Sequence, residues 1–352
     1  MNIPAIRLHC QQLAKPIFTD AQSVVKWMGA MQAQQPSMAK LALAMRICGG
    51  NLQQVGQAID QGRVLRTHVM RPTWHYVAPD DVRWMLALSH DRLKAAYASL
   101  VKTHGIGITE RMYNDFNLQL HDMLTGGRSL TKRQIADRLA GTGIHTENVF
   151  LTRFLENAEN EALICSGHNM GKEHTYMLLD ERVAPAPLPS KEEALAMLAR
   201  NYFRSHAPAT TDDFCWWSGL SLKEARLAVE FIANELHKAT FGNRVYLIHE
   251  TCNAKVRMPQ HTIFLPSYDE YIISYKYRGD VLAPDHARKA FTNNGIFFPV
   301  ILQKGKVTGN WKAVLRGNKA DVIATYFEND TEESTAEAEE KARLRHRKLY
   351  SM

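Results

Sequence analysis

Apolar residues between positions 20 and 47 recur every three to four residues, which is the spacing of one face of an α-helix. Pro36 interrupts this series, and because proline disfavours helical backbone in the residue before it, two helices with a break near Gln35–Pro36 are expected. The next stretch, LQQVGQAIDQ, predicts a helix that ends at Gly62. RVLRTHVMRPTWHYV then predicts two short extended pieces around Arg71–Pro72, so helices are followed by a β-ribbon.

The same order of elements recurs twice. Residues 129–180 predict a short helix capped by Ser129 or Thr131, a longer amphipathic helix, and two strands around a turn from His168 to Gly171. Residues 191–250 predict a third series of three helices and a strand. Helices followed by a β-ribbon are typical of a winged helix-turn-helix unit, so the pattern predicts three such units in tandem.

The pattern changes after residue 260, where the sequence becomes rich in strand-forming residues, with a hairpin turn at Lys304–Gly305. This predicts a small antiparallel or barrel-like domain. The charged stretch TEESTAEAEEKARLRHRKLY predicts a solvated terminal helix.

The predicted fold class is therefore α+β, with three tandem winged helix-turn-helix units and a C-terminal β-barrel-like domain. The expected divisions are a first unit with additional helices, a second unit, a third unit, a β-rich domain and a charged tail helix: 1–127, 128–182, 183–258, 259–330 and 331–352.

Composition excludes several classes of protein. With 45% hydrophobic and 22% charged residues, the chain has ordinary globular composition, and no window approaches the roughly 18 apolar residues of a membrane span. The first residues lack the apolar run of a secretory signal peptide. The five cysteines are far apart and form no CxxC pair, so neither a disulfide framework nor a zinc site is expected. These features predict a soluble protein of the reducing cytoplasm.

The net charge of +7 is concentrated in the first 150 residues, which hold 17 Lys and Arg against 10 Asp and Glu. Residues 151–330 hold 21 of each kind, so they are balanced. A polyanion would be attracted to the first part of the chain. The alternative is that the charge serves only solubility.

The common catalytic signatures are absent: the sequence has no Walker loop, GxSxG, HExxH or GxGxxG motif. Nucleotide hydrolases, α/β-hydrolases and Rossmann dehydrogenases are therefore not indicated. His68 and His75 have no cysteine or carboxylate at ligand spacing, so no metal site and no cofactor are predicted.

Two dense stretches remain. MQAQQP places three glutamines in four positions beside Pro36, where a helix break can turn Gln32 and Gln34 to one side. In RTHVMRPTWH, alternation places Arg66, His68, Met70 and Trp74 on one face. Amides that cap a helix end, and a buried strand with satisfied hydrogen bonds, are the structural alternatives.

Several stretches together resemble the AlkZ-like family of bacterial winged-helix DNA glycosylases. They are MQAQQPSMAKLALAMR, GRVLRTHVMRPTWHYVAPDDV, LTRFLENAENEALICSG, GKEHTYMLLDER, YFRSHAPATTDDFCWWSGL, FLPSYDEYIISYKYR and NGIFFPVILQKGKVTGNW. The resemblance runs from about residue 5 to about residue 327. It implies three winged-helix units, a barrel-like C-terminal domain and a concave basic face that holds duplex DNA. It also implies excision of N-alkylated purines, and in some members the unhooking of interstrand cross-links.

The family's catalytic signature, two glutamines around an apolar residue, falls on Gln32, Ala33 and Gln34. A related subfamily has aspartate at the second position. The resemblance further suggests that the turn holding His168, Asn169 and Lys172 probes the minor groove. It also suggests a set of side chains that contact phosphate or support the glutamines, which comprises Arg66, His68, Arg71 and His75. For His75 a buried structural role is favoured.

These features predict a monofunctional glycosylase that acts as a monomer in base excision repair. No lysine adjoins the glutamines, the nearest being Lys40 six positions on, so no lyase step is expected. One alternative is a winged-helix regulator or damage binder without catalysis, since this fold is more often a reader than an enzyme. Another is a structural protein that uses the units for protein contacts.

Overall fold

The structure is a computed structural model that describes residues 1–171, 173–253, 255–316, 319–327 and 334–350. The chain divides into two compact units. The composite unit comprises Met1–Gly56 and Leu195–Met352, and the central unit comprises Gln57–Ala194. Each unit is described by itself below.

Helices are the predominant regular elements of the described chain. In chain order they are α1 (Ile3–Cys10), α2 (Ala21–Met28), α3 (Pro36–Ala44), α4 (Leu52–Asp60), α5 (Pro79–Thr103), α6 (Glu110–Leu124), α7 (Lys132–Leu139), α8 (Asn148–Asn160), α9 (Leu179–Arg182), α10 (Lys191–His206), α11 (Thr211–Ser218), α12 (Leu222–Phe231), α13 (Glu270–Ile273), α14 (Ala287–Ala290) and α15 (Ser334–Leu349). Two short 3₁₀ helices span Ala233–Glu235 and Pro284–His286.

The strands are short except near the C-terminus. They are β1 (Met31–Gln32), β2 (Leu65–His68), β3 (Trp74–Val77), β4 (Leu130–Thr131), β5 (Ile164–Ser166), β6 (Thr175–Leu178), β7 (Leu236–Phe241), β8 (Arg244–His249), β9 (Ile263–Leu265), β10 (Val300–Gln303), β11 (Lys306–Arg316) and β12 (Lys319–Tyr326). The central unit contains the β2–β3 hairpin and a sheet of order β4-β6-β5. The composite unit contains the β7–β8 hairpin and a sheet of order β12-β11-β10-β9.

The break between the first two helices is longer than the sequence suggested. Helix α2 already ends at Met28, because Gly29 follows it with a positive φ of 79°. Pro36 is the first residue of α3 and does not end the preceding helix. This position suits proline, since the first helical residue has no intrahelical partner for an N–H. Residues 30–35 therefore lie outside both helices, and Met31–Gln32 form a short strand.

The second predicted series of elements is confirmed in the central unit. Thr131 caps α7, and its hydroxyl forms a reciprocal capping box with Gln134. The longer helix α8 and the hairpin strands β5 and β6 follow as expected. Phe116 and Phe154 stack at the centre of this core, with ring centroids 4.9 Å apart. The two aromatic rings join α6 to α8.

The third series contains a strand that the sequence did not predict. β7 pairs with β8 over its whole length, from Leu236 opposite His249 to Phe241 opposite Arg244. None of the β7 side chains is fully buried, so its sequence carries little of the apolar alternation that identifies a strand. The sequence predicted three helices followed by one strand, and the structure has helices followed by a hairpin.

The C-terminal sheet is confirmed as antiparallel, and its predicted turn lies at Lys304–Gly305 between β10 and β11. The barrel-like prediction is not confirmed. Among the described residues, β9 and β12 form opposite edges of an open four-stranded sheet, and no closed barrel is found. The stretch YDEYII was expected to be extended, but it forms the short helix α13. Asp269 caps this helix by accepting a hydrogen bond from the Tyr271 N–H at 2.9 Å.

The charged tail helix α15 is not the solvated helix that was predicted. Its Ala342 and His346 are buried, and they join a hydrophobic cluster with Phe264 and Trp311. The ring centroids of Trp311 and His346 lie 4.7 Å apart, edge to face. This buried face could not be recognised from the sequence, because it consists of one alanine, one histidine and residues near the end of the helix.

Within the described residues, no helix combines the length and apolarity needed to cross a membrane. All five cysteines are free thiols. The described residues also contain no cluster of three or more His, Cys, Asp or Glu side chains that could hold a metal ion.

Candidate functional site: a glutamine segment and a cationic hairpin

The segment with the two predicted catalytic glutamines is an extended stretch between α2 and α3 in the composite unit. Gly29 turns the chain out of α2, and a Cβ at this position would lie 3.0 Å from the Cβ of Asn201. Gln35 is extended (φ −107°, ψ 103°) and leads into Pro36. The sequence therefore ends one helix and starts the next within eight residues, and it leaves the glutamines in non-helical backbone.

The two glutamines differ in exposure. Gln32 is only 4% exposed, and the neighbouring Ala33 is fully buried. Gln34 and Gln35 are exposed. One amide of the predicted pair is therefore held within the protein, and the other faces solvent.

Gln32 is fixed through its backbone to a buried carboxylate. Its N–H donates a hydrogen bond to Oε1 of Glu270, the first residue of α13. The second oxygen, Oε2, accepts from Ser274 Oγ and from Trp217 Nε1 at 3.3 Å. Nε2 of His206 lies 3.5 Å from the same oxygen. The carboxylate thus joins four elements of the composite unit.

The environment of Glu270 favours its charged form. Burial alone would raise the pKa of this carboxyl, but the nearby His206 and the hydrogen bonds from Ser274 and the Gln32 amide outweigh it and lower the pKa to about 2. Burial lowers the pKa of His206, although Glu270 opposes that change. Glu270 is therefore an anion at neutral pH.

The adjacent Asp269 holds the chain at the other end of α3. Nη1 and Nη2 of Arg46, just after α3, donate to the two Asp269 oxygens at 2.9 and 2.8 Å. Both side chains are buried, and Nη1 also donates to the Ala42 carbonyl at 2.9 Å. A bidentate pair of this kind fixes orientation as well as distance.

The remaining predicted residues belong to the central unit, where Arg66 and His68 meet at one aromatic ring. The Arg66 guanidinium lies 3.9 Å from the Trp74 ring centroid, and the His68 ring lies 4.0 Å from it. The predicted common face of these side chains is confirmed. Both Arg66 and His68 are buried, and burial lowers the pKa of Arg66. Arg71 is half-buried in the turn of this hairpin.

A cavity of about 500 Å³ opens beside this cluster. Its lining combines apolar surface with cationic and aromatic side chains and one acidic residue, Glu173; the cationic and aromatic residues are Arg66, Trp74, Lys132, Arg133, His174 and Tyr176. Burial, followed by the charges of Arg66 and His68, lowers the pKa of His174 to about 3. Its ring is therefore neutral at neutral pH, and Lys132 and Arg133 supply positive charge at the start of α7.

The predicted minor-groove turn is an exposed hairpin end that is tied to α4. His168 Nδ1 lies 3.0 Å from the Asp60 carbonyl oxygen, and the Asn169 N–H donates to Asp60 Oδ1 at 2.9 Å. Arg182 lies 3.2 Å from the His168 ring nitrogens. Lys172 lies outside the described residues. His75, for which a structural role was favoured, is buried, and its Nδ1 lies 2.9 Å from the Thr73 carbonyl.

Sequence reasoning assigned no role to Glu270, Asp269 or Trp217. The first two lie in SYDEY, within a region that was predicted to be rich in strands and that contributes to the family resemblance. An Asp-Glu pair at the start of a helix is a capping signal that could have drawn attention to them.

Comparison with known proteins identifies the family. The family model described as DNA glycosylase AlkZ-like matches residues 25–346. The chain is 24% identical over 354 residues to the interstrand DNA cross-link repair glycosylase of Streptomyces sahachiroi, covering 96% of this chain and 92% of the relative. It is also similar to the solved structure of the S. sahachiroi DNA glycosylase AlkZ. That match has a TM-score of 0.81 and 23% identity, and it covers 99% of this chain and 96% of the other. The mixed α+β fold is therefore that of AlkZ, and the chain belongs to the AlkZ-like DNA glycosylase family.

Proposed function

We propose that this protein is a monofunctional DNA glycosylase that hydrolyses the N-glycosidic bond of cationic N-alkylated purines in duplex DNA. N7-alkylguanine is the first candidate substrate, and N3-alkyladenine is a second. Interstrand cross-links are a third, because the Streptomyces relative is named for their repair. The protein would act as a monomer on chromosomal DNA in the cytoplasm, without metal or cofactor, and would start base excision repair.

The observation that carries the proposal is the position of Gln32 and Gln34 in the extended segment before α3. Gln32 is buried and its backbone is anchored, whereas Gln34 is exposed to solvent and therefore accessible to DNA. Two amide oxygens brought to the lesion by this segment would orient a water molecule and present dipoles to developing positive charge.

The chemistry suits an amide because the substrate is already activated. A glutamine side chain is no general base near neutral pH, but a purine alkylated at N7 carries a positive charge and leaves without protonation. The transition state resembles an oxocarbenium ion, as in other glycosyl transfers. The protein then has to place water on the far face of the sugar and stabilise positive charge.

The scaffold we propose consists of three winged-helix units, within 1–127, 128–182 and 183–258. The exposed turn with His168 and Asn169 supports direct contact with the minor groove, to which Lys172 would add charge. For Arg66 and His68, burial favours support of the hairpin, and direct contact with phosphate stays a prediction. The same applies to the half-buried Arg71.

The absence of a lyase step is part of the proposal. Lys40, six positions after Gln34, is half-buried on α3. A monofunctional enzyme forms no Schiff base with the abasic sugar, so borohydride should trap no covalent adduct during turnover. A trapped adduct that disappears in Lys40→Ala would contradict this part of the proposal.

Base release from defined duplexes tests the function. Oligonucleotides with one N7-methylguanine, one hypoxanthine or one uracil are incubated with the protein, and abasic sites are cleaved and counted. We expect release of N7-methylguanine and little release of the two neutral bases. Equal release of all three would contradict selection for a cationic leaving group. Tight binding of the lesion without release would indicate a binding protein.

A further inference from the structure

Two adjacent acidic residues hold the chain on both sides of Gln34 and α3. Glu270 accepts the backbone N–H of Gln32, and Asp269 pairs with Arg46. Gln34 and the whole of α3 lie between these two attachments. Both acids are buried and consecutive. A single turn at the start of α13 therefore fixes the chain at Gln32 and again at Arg46.

We propose that Glu270 is a positioning residue for Gln32, an inference that rests on the proposed function. Ser274 and Trp217 donate to Oε2, and His206 lies close to it. These contacts fix the plane of the carboxylate and direct Oε1 toward the Gln32 N–H. The groups around Oε2 therefore hold the anchoring oxygen Oε1 in place.

The charge of Glu270 gives this contact a second consequence. The two glutamines carry no formal charge, whereas the oxocarbenium-like transition state is positive. A buried carboxylate that is hydrogen-bonded to the Gln32 peptide places negative charge close to that residue. In the protein interior, electrostatic interactions are stronger than in water. Its loss should lower the rate of bond cleavage more than the affinity for DNA.

Glu270→Gln separates charge from shape, because the amide keeps an oxygen acceptor for the Gln32 N–H. Glu270→Ala removes both. With N7-methylguanine duplex at saturating protein, we expect the single-turnover rate constant to fall about tenfold in Glu270→Gln and about 100-fold in Glu270→Ala. The Kd for the same duplex should change less than about twofold, since no DNA contact is lost.

Asp213→Asn is the matched control. Asp213 is also a buried carboxylate of the composite unit that accepts backbone N–H groups, those of Lys276 at 2.9 Å and Tyr277 at 3.1 Å. Its oxygens hold the start of α11 and the chain after Ser274, and the N–H groups they accept are not those of residues 30–35, so its loss should lower stability and leave the rate constant of the folded protein unchanged. A wild-type rate constant in folded Glu270→Ala would overturn the proposal, and a wild-type rate constant in Glu270→Gln would overturn the effect of charge. Should Glu270→Ala fail to fold, Ser274→Ala keeps the carboxylate and should give an intermediate rate constant, and a wild-type value would overturn the proposal equally.

Hydrogen exchange measured by mass spectrometry provides a readout that does not require activity. Peptides covering residues 30–35 should exchange faster in Glu270→Ala than in wild type, because the Gln32 N–H loses its acceptor, and Asp213→Asn should leave them unchanged. Unaltered exchange in Glu270→Ala would overturn the positioning role. If the wild type releases no N7-methylguanine, the proposed function is contradicted. Faster exchange in Glu270→Ala would in that case still support the contact between Glu270 and Gln32.

Discussion

His68 and Glu159 form a buried pair in the central unit, in which His68 Nδ1 lies 2.5 Å from Glu159 Oε2. His68 belongs to strand β2 and Glu159 to helix α8, so the contact fastens the hairpin to the helix. The His68 ring also packs against Trp74, and the same Trp74 ring packs against Arg66. A residue proposed for DNA contact is thus also a structural link.

Glu159→Ala should lower the free energy of unfolding by about 1–3 kcal/mol, because it leaves a buried imidazole N–H without its acceptor. Urea denaturation followed by circular dichroism measures the loss. A double-mutant cycle with His68→Ala should show a coupling energy of about 0.5–3 kcal/mol. Strictly additive losses would show that the two side chains do not stabilise each other.

The docking of α15 should depend on pH through His346. Burial lowers the pKa of this residue from 6.5 to about 4, so the folded protein binds fewer protons than the unfolded chain between these values. Its contribution to stability is complete above pH 6.5 and is lost as the pH falls toward 4. His346→Phe should flatten the dependence by up to about 1.4 kcal/mol per pH unit.

Urea unfolding of wild type and variant at pH 7, 6 and 5 measures this difference in slope. His121→Gln, which changes an exposed histidine on α6, serves as the control and should keep the wild-type slope. Identical slopes for wild type and His346→Phe would show that His346 is not buried in solution.

Asn169→Ala tests the hairpin turn as a DNA contact. The substitution keeps the backbone hydrogen bond from residue 169 to Asp60, so the turn should remain attached to α4. We expect affinity for duplex DNA to fall about fivefold, the equivalent of one ordinary hydrogen bond, in a fluorescence anisotropy titration. Asn294→Ala, in an exposed turn of the composite unit, is the control. Unchanged affinity in Asn169→Ala would remove this turn from the interface.

Affinity for DNA should fall with salt if the basic first part of the chain contacts phosphate. A plot of log K against log salt concentration should be linear, with a slope of about −0.9 for each neutralised phosphate. Arg133→Ala removes an exposed charge at the start of α7 and should reduce the magnitude of the slope by about one. Arg288→Ala removes an exposed charge in the charge-balanced part of the chain and should leave the slope unchanged. A slope near zero for wild type would contradict the basic interface.

Local signals in the sequence predicted most elements of the fold. The end of α4 near Gly62 and the turn at Lys304–Gly305 are determined by residues within a few positions, so the local sequence is enough to predict them. Strand β7 and helix α13 were missed because one has little apolar alternation and the other spans a single turn. The docking of α15 depends on packing partners far away in the sequence, which no periodicity reveals.

The candidate site was only partly accessible from the sequence. The pattern singled out the glutamines beside Pro36, and the family resemblance supplied their proposed role. The anchor of Gln32 was inaccessible, because Glu270 is 238 positions away and its importance arises only when the chain folds. The same holds for Glu159 beside His68, which are 91 positions apart.

Single-turnover release of N7-methylguanine by wild type, Gln32→Ala and Gln34→Ala tests the central claim most directly. The assay uses one duplex, with protein in excess over DNA, and counts abasic sites over time. We predict that wild type releases the base and that each substitution lowers the rate constant by about 100-fold, with stability and DNA affinity close to wild type. Equal rate constants in all three proteins would contradict catalysis by the glutamine pair.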